Sequence, residues 1–597
     1  MSNQKSNPIL DMLKSLLVLY QNKEYVNAEN LALSIIKRYP ADKHAWKILA
    51  GVFEQTNRVS DSQKANQKAL EIDPHDPEIY LCLGNNFNHQ EKFNDAELNY
   101  KKAIELSPNY LQAFYNLGLI LKKMQRFEES VSYFKKLINL KPDFVKGYNY
   151  LSVVLIDLKE FDEATVNLKK AIALKPDYHE AFFNLGVALR GAGLKEQALD
   201  ALKKAIDLKP DYIRAYNLLG VTLAGLGHHE DAIESYKKAI SIDPGYVEAY
   251  NNLANTFKDL GRFEETSENY KKAVDIKPDY AEAYKNWGLA SMLNYDFEKA
   301  FELMEWRLQL EEKNYIPLKT SKPRWDGLTK NKVFVWKEQG VGDHIMFSSM
   351  ISELHAIVEK VIVECDPRLL PLFQRSFSNE IKFITDRAEI SEDDYDSHLP
   401  IGSLSFHFRK TLNDFEATSK GWLQADPERV QSIRQNFMKS QSKKIVGLSW
   451  NTKSITGQAS SRKIKLDVLL MPLKELGFKF INLQYGDVSE EISNLKLNHG
   501  IDVVEIPDLD LFNDIDGLAA TIAACDFVIS IANLNPHLAG ALNVSTNLLL
   551  PYAADERWGY KKNKSYWYKS ISIYRQKKPG NWKQPLSELV SDLSRYQ

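Results

Sequence analysis

The chain has 597 residues, too many for a single hydrophobic core, so more than one domain is expected. Its hydrophobic and charged fractions, 44% and 26%, are ordinary for a globular protein. A formal net charge of −2 with no long Lys/Arg run leaves no dense positive face to displace counterions, which excludes a general binder of nucleic acid or anionic membrane.

The three cysteines, Cys82, Cys365 and Cys525, lie far apart and form no CxxC pair. That argues against a structural zinc site or disulfide framework and fits a reducing compartment. The opening stretch MSNQKSNPILDMLKSLLVLYQNKEY lacks a basic region followed by an apolar one and is expected to form an amphipathic helix, not a signal peptide. Nowhere do eighteen apolar residues run together. The expectation is a cytoplasmic protein with no stable membrane insertion.

Residues 9–308 repeat one theme. Pro40, Pro74, Pro108, Pro142, Pro176, Pro210, Pro244 and Pro278 recur every 34 residues, the tetratricopeptide period. In register with them are an aromatic (Trp46, Tyr80, Phe114, Tyr148, Phe182, Tyr216, Tyr250, Tyr284) and, four residues on, a small residue (Ala50, Gly84, Gly118, Ser152, Gly186, Gly220, Ala254, Gly288). A second small position follows at Ala96, Ser130, Ala164, Ala198 and Ala232. Small residues let antiparallel helices approach closely, the aromatic fills the gap to the next repeat, and proline ends the second helix. An α-solenoid of tetratricopeptide repeats is predicted, whose groove would hold a protein or peptide partner. Two positions after the aromatic stand Asn116, Tyr150, Asn184, Leu218, Asn252 and Asn286. The four asparagines resemble the asparagine ladder of the O-linked N-acetylglucosamine transferases, where amides grip an acceptor backbone; an amide donates and accepts at once. The alternative is that asparagine is simply a polar choice on that helix face.

The register fades after YDFEKAFELMEWRL, and 309–330, with two prolines and few apolar residues, is predicted to be a linker. Beyond 331, eight short β-rich runs alternate with helix-length stretches: VFVW, KVIVEC, IKFIT, KIVGLSW, FKFINLQ, DVVEIP, DFVISI and TNLLL. Such alternation implies parallel sheets covered by helices. A polar stretch around 410–443 divides the runs into two Rossmann-like halves, 331–425 and 443–597, which would bind ligands at the carboxyl ends of their strands.

Two turns carry the chemistry. In EQGVGDHI, Gly340 and Gly342 follow a strand and precede a helix, but the third glycine of a dinucleotide fingerprint and the Gly-Lys-Ser/Thr of a P-loop are missing. Asp343 either caps the following helix or presents a carboxylate to a cleft. In DFVISIANLNPHLAGALNVSTNLLLP, a helix opening near Pro536 would turn the N–H groups of Leu538, Ala539 and Gly540 toward the cleft as a diphosphate site. His537 at the same mouth would donate to a phosphate oxygen or act as a structural hydrogen-bonder.

Together the two turns resemble the first and last signature segments of glycosyltransferase family 9, which includes the ADP-heptose:lipopolysaccharide heptosyltransferases. The chain is most similar in organisation to bacterial proteins joining tetratricopeptide repeats to such a domain, with PRWDG (323–327) before the first strand and RWG (557–559), SYWY (565–568) and YRQ (574–576) near the end. The resemblance implies a GT-B fold and an enzyme moving a sugar from a nucleotide-sugar, with inversion, without a metal and without any other cofactor. It implies Asp343 as general base, His537 and Asn533 beside the donor diphosphate, Arg462 in SSRKIKL as balancing cation, and Gln484 and Tyr485 lining the nucleotide pocket. Many members carry an acid five residues before the histidine where this chain has Ala532, which bears on donor identity and activity. The acid pairs Asp508/Asp510 and Asp514/Asp516 resemble a metal-binding DxD motif but are expected to cap the helix that follows. Two readings result: a transferase modifying a protein held by the repeats, or an interaction scaffold with a degenerate nucleotide-binding domain. A lipopolysaccharide acceptor would keep the chemistry and change the partner.

Overall fold

The computed structural model describes residues 8–310, 317–437, 443–452, 461–552, 555–559 and 563–596. Two compact units divide the chain, residues 1–252 and 253–597. The sequence places the end of the repeats near 308, but the final repeat helices count with the second unit.

In the first unit helices come in pairs, from Pro8–Gln21 with Tyr25–Arg38 to Ile213–Ala224 with His229–Ile242. The turn inside each pair carries a left-handed residue, and these recur every 34 positions: Lys23, Asn57, Glu91, Gln125, Lys159, Gly193 and Gly227. At Asn57 the geometry is a Schellman ending, with Asn57 N–H donating to Glu54 O at 3.1 Å and Arg58 N–H to Phe53 O at 2.7 Å. The small residues do what their size allows. Ala96, Ala164, Ala198 and Ala232 are fully buried, and a Cβ on Gly84 would stand 2.5 Å from the Tyr100 ring.

The second unit opens with Phe263–Ile276, Ala281–Leu293 and Phe297–Met304, then a 3-10 turn Glu305–Gln309. These helices are not a separate layer. Phe297, Ala300 and Phe301 share one core with Trp325, Val333, Phe415 and Trp567. The described part of the predicted linker is also docked: Trp325 is 4% exposed, its N–H donates to His398 O at 2.9 Å, and Pro323 O accepts from His398 N–H at 3.1 Å.

Strands β1 Lys332–Trp336, β2 Lys360–Glu364, β3 Lys382–Ile384 and β4 Ser397–Pro400 form one sheet in the order β3-β2-β1-β4. Strands β5 Ile445–Ser449, β6 Lys479–Asn482, β7 Val503–Val504, β8 Phe527–Ile531, β9 Thr546–Leu550 and β10 Ile571–Arg575 form a second, in the order β10-β9-β8-β5-β6-β7. All eight pairings are parallel. The sequence marks eight strands; it misses β4 (SHLP) and β10 (ISIYR), the first short and ending in proline, the second at the sheet edge. The stretch between β1 and β2 forms two short helices, Val341–Ser348 and Ile351–His355. Both sheets reverse direction of growth beside their first strand, between β1 and β4 and between β5 and β8, so a crevice opens after those strands.

Candidate active site

The turn after β1 carries Asp343. Gln339 adopts a left-handed conformation, φ 62°, so the chain reverses and starts Val341–Ser348 with Gly340 as N-cap. Asp343 is the third helical residue, and its Oδ2 accepts from Gly340 N–H at 3.4 Å. Its Oδ1 accepts from Arg557 Nη1 at 2.6 Å. Asp343 is therefore cap and cleft group at once.

Arg557 lies in the short 3-10 turn Glu556–Trp558, whose N-cap is Asp555. Asp555 Oδ1 accepts from Arg557 Nε at 2.6 Å and from its backbone N–H at 3.2 Å, and Asp555 Oδ2 faces Arg462 Nη2 at 3.7 Å. Burial alone would raise the Asp555 carboxyl, but Arg557, with Arg462 behind it, holds it below the usual carboxylate range. Burial likewise opposes charge on Arg557, and Asp343 and Asp555 overcome it, so the guanidinium stays protonated.

The turn after β8 carries Asn533, the N-cap of the helix Leu534–Ala541. Its Oδ1 accepts from Asn535 N–H at 3.0 Å, and its Nδ2 donates to Ser449 Oγ at 2.6 Å, tying β8 to β5. The helix starts before Pro536, not at it. Leu538, Ala539 and Gly540 are thus interior helical residues and are buried; Gly540 receives the Tyr568 ring. The N–H group at the mouth belongs to Leu534, because Asn533, three residues before Pro536, supplies the cap and takes the Asn535 N–H.

His537 is 5% exposed. Its Nδ1 shares a hydrogen bond with Tyr568 Oη at 2.8 Å, and Trp558 packs on the ring at 4.9 Å between centroids. Burial, helped by the Arg557 charge, pushes its pKa down to about 3, so the imidazole is neutral at physiological pH. Gln484, expected to line a nucleotide pocket, is not in the wall of the cleft. Its Oε1 is spent on Ser449 Oγ, Trp450 N–H and Asn451 N–H at 3.1, 3.2 and 2.8 Å, where it shapes the turn after β5. Tyr485, against Phe512, does face the cleft.

These groups surround a cleft of about 340 Å³ whose walls include Asp343, Arg462, Tyr485, Asn533, His537 and Arg557. Ala532 forms part of the same wall. Asn535, 2% exposed, is also in the wall, and among the described residues its buried Oδ1 has no hydrogen-bond partner. A second hollow of about 600 Å³ at the carboxyl ends of β1, β2 and β3 shares Val341 and Arg368 with the cleft and is lined by Lys337, Glu364 and Arg387. Sequence reasoning missed Arg557 and Asp555 as site residues, and Tyr568 behind His537. The first two sit in a two-acid, one-arginine run (DERW) that looks like any exposed turn.

Three of the four paired acids serve structure. Asp514 caps Ile515–Ala524 and pairs with Arg429, Asp516 binds Arg375 at 2.7 Å, and Asp510 accepts from Phe512 and Asn513 N–H groups. Among the described residues no cluster of three or more His, Cys, Asp or Glu would hold a metal ion, and no helix is long and apolar enough to cross a membrane.

Comparison with known proteins bears on the N-terminal part. A "TPR repeat" family model matches residues 84–125, 153–193, 195–227, 223–261 and 254–294, and "Tetratricopeptide repeat" models match 13–77 and 111–144. Tetratricopeptide repeats occupy residues 13–294.

A curated relative is Protein FlbA of Caulobacter vibrioides, 28% identical over 291 residues; the match spans 45% of this chain and about half, 48%, of FlbA. Among solved structures, YrrB, described as a tetratricopeptide protein with an unusual peptide-binding site, is 27% identical over 31% of this chain and 96% of its own, with a TM-score of 0.28. MamA is 31% identical over 28% of this chain and 97% of its own, with a TM-score of 0.26.

Within the tetratricopeptide repeats, three of the four asparagines predicted to grip an acceptor each donate to another asparagine, one in the preceding repeat. Asn116 Nδ2 donates to Asn85 Oδ1 at 2.9 Å, Asn184 to Asn149 at 2.9 Å, and Asn252 to Asn217 at 3.0 Å, each bond joining one repeat to the previous one. All three are half-buried, as is Asn286.

Proposed function

We propose that the second unit is a GT-B glycosyltransferase that takes a nucleotide-sugar into the 340 Å³ cleft and passes the sugar to an acceptor hydroxyl at Asp343. One observation carries this reading. Asp343, from the turn after β1, meets Arg557, which is linked through Asp555 to Arg462, beside the start of Leu534–Ala541, where both parallel sheets present their carboxyl ends. Asp343 accepts the proton of the acceptor hydroxyl as its oxygen bonds to the anomeric carbon. The bond from that carbon to the phosphate oxygen breaks, and the electron pair leaves with the nucleotide. A single displacement inverts the anomeric centre. Arg462, Arg557 and the N–H group of Leu534 balance the departing charge, as a divalent ion does in other transferases. The hollow after β1 to β3 is the acceptor side. The acceptor is a protein or peptide bound by the tetratricopeptide repeats, since such arrays build extended binding surfaces.

The test incubates the purified protein with UDP-, GDP-, ADP- and CMP-sugars and follows nucleotide release and the mass of candidate acceptor proteins. Asp343→Asn lowers turnover about 10²- to 10⁴-fold, the usual share of a general base. If no nucleotide is released and none shifts the melting temperature, the scaffold reading takes its place. Ala532 favours that alternative, because it leaves an apolar wall where a donor-side acid is expected.

A further inference from the structure

Arg557 is the hinge of a four-charge chain. Arg462 faces Asp555, Asp555 holds Arg557, and Arg557 holds Asp343. Three of these groups belong to the second sheet's half of the unit; Asp343 alone comes from the turn after β1. Nε and the backbone N–H of Arg557 are fixed on Asp555 within its own short turn. The guanidinium is thereby anchored at one edge, while Nη1 reaches across to Asp343 at 2.6 Å.

The Asp343 oxygen that Arg557 holds at that distance already has its acceptor site occupied. The same guanidinium stands where a phosphate would seat, in a wall that includes Arg462 and the N–H of Leu534. Phosphate oxygens and the Asp343 carboxylate are then rivals for one Nη group, and a diphosphate brings more charge and a second cation, Arg462, to the contest.

We propose that Arg557 is an exchange residue: the phosphate of the bound nucleotide takes Nη1 from Asp343, so donor binding is what frees the base. This rests on reading the cleft as a nucleotide-sugar site. No bond is made or broken in the exchange; one anion replaces another on a guanidinium that stays protonated. The base is held until a donor is present, and the donor binds before the acceptor hydroxyl is activated. Because Asp343 competes with phosphate, removing its charge strengthens nucleotide binding, which is the reverse of what loss of an ordinary contact does.

Calorimetric titration of the full chain with UDP, GDP, ADP and inorganic pyrophosphate, on wild type, Asp343→Asn, Arg557→Gln and Arg557→Lys, tests the exchange. The expected result is binding about tenfold tighter in Asp343→Asn, about tenfold weaker in Arg557→Gln, and partly restored in Arg557→Lys; tenfold is ~1.4 kcal/mol. Should Asp343→Asn lose its cooperative melt, Asp343→Ser serves the same comparison. If the Asp343 variants bind like wild type or more weakly while Arg557→Gln binds poorly, the exchange is overturned and the nucleotide site stands. If none of the four probes binds any variant, the nucleotide reading and the exchange fall together.

Discussion

Gly342 and His537 touch across the cleft. A Cβ added to Gly342 would stand 3.2 Å from Cδ2 of His537, closer than side chains ordinarily pack. The two signature turns, nearly two hundred residues apart in sequence, are thus fitted to each other at a point where the first has no side chain. The imidazole cannot retreat, because Tyr568 holds its Nδ1 and Trp558 covers its face.

Gly342→Ala separates stability from function. Alanine in the first turn of Val341–Ser348 gains about 1 kcal/mol of helix propensity, against an overpacking cost of about 1–3 kcal/mol. The expected net loss, read by chemical denaturation, is at most ~2 kcal/mol. Nucleotide affinity falls more than that loss implies, because the shift is delivered at the cleft; equal affinity in wild type and variant would show that the contact has no bearing on the site.

Acid should find His537. Its folded pKa, about 3, lies below the unfolded value near 6.5, so as pH falls through that window the unfolded chain binds a proton that the folded chain refuses. Stability is complete above the unfolded value and declines as pH drops toward 3, by up to about 1.4 kcal/mol per unit from this residue. His537→Asn, compared with wild type by denaturation at pH 7, 5.5 and 4, removes that share of the slope. Parallel slopes in the two proteins would contradict the burial argument. Tyr568→Phe leaves Nδ1 without its partner and costs about 1–3 kcal/mol.

Arg307 ties the last repeat to the Asp343 turn. Its guanidinium grips Glu338 through Nε and Nη2 at 3.0 and 2.7 Å, and Gly402 N–H donates to the same carboxylate. Trp306 beside it stacks on Tyr284 at 4.1 Å. Arg307→Met strands the buried Glu338 and costs about 3–5 kcal/mol, while the double change with Glu338→Gln recovers a good part of it. By the same logic a chain cut at 331 loses Phe297, Phe301 and Trp325 from its core at about 1.5–3 kcal/mol each. It should lack a cooperative melt, whereas a chain beginning at 253 keeps one.

The asparagine pairs give a prediction about the array alone. Asn149→Ala and Asn184→Ala each weaken the repeats by about 0.5–1.5 kcal/mol, and the double variant loses clearly less than the sum, since both remove one bond. Additive losses in thermal or urea unfolding would mean the bond contributes nothing.

Much of the molecule was legible because its rules are local. The 34-residue rhythm appears in the letters as proline, aromatic and small residues, and each answers to a nearby steric demand: a helix end, a gap, a close crossing. The β-branched runs before Gly340 and Ala532 mark strands for the same kind of reason, and the turns after them fall where parallel sheets open. β4 was lost because SHLP has no β-branched residue and ends in proline. The helix after β8 was started too late because Pro536 is a conspicuous first-turn signal, whereas Asn533, the actual cap, looks like one polar residue among several.

What the sequence by itself determined is the repeat, the two parallel-sheet regions and the two turns that face each other. Only the tertiary structure decided which charges meet. Arg557 stands 214 residues from Asp343 and Arg307 stands 31 from Glu338, and neither spacing is a motif. Helices and turns obey interactions between near neighbours, which leave a period in the chain. A buried ion pair obeys only the distance between two side-chain ends, which is set by how the sheets, the last repeat and the connecting turns pack, and no short stretch of residues records it.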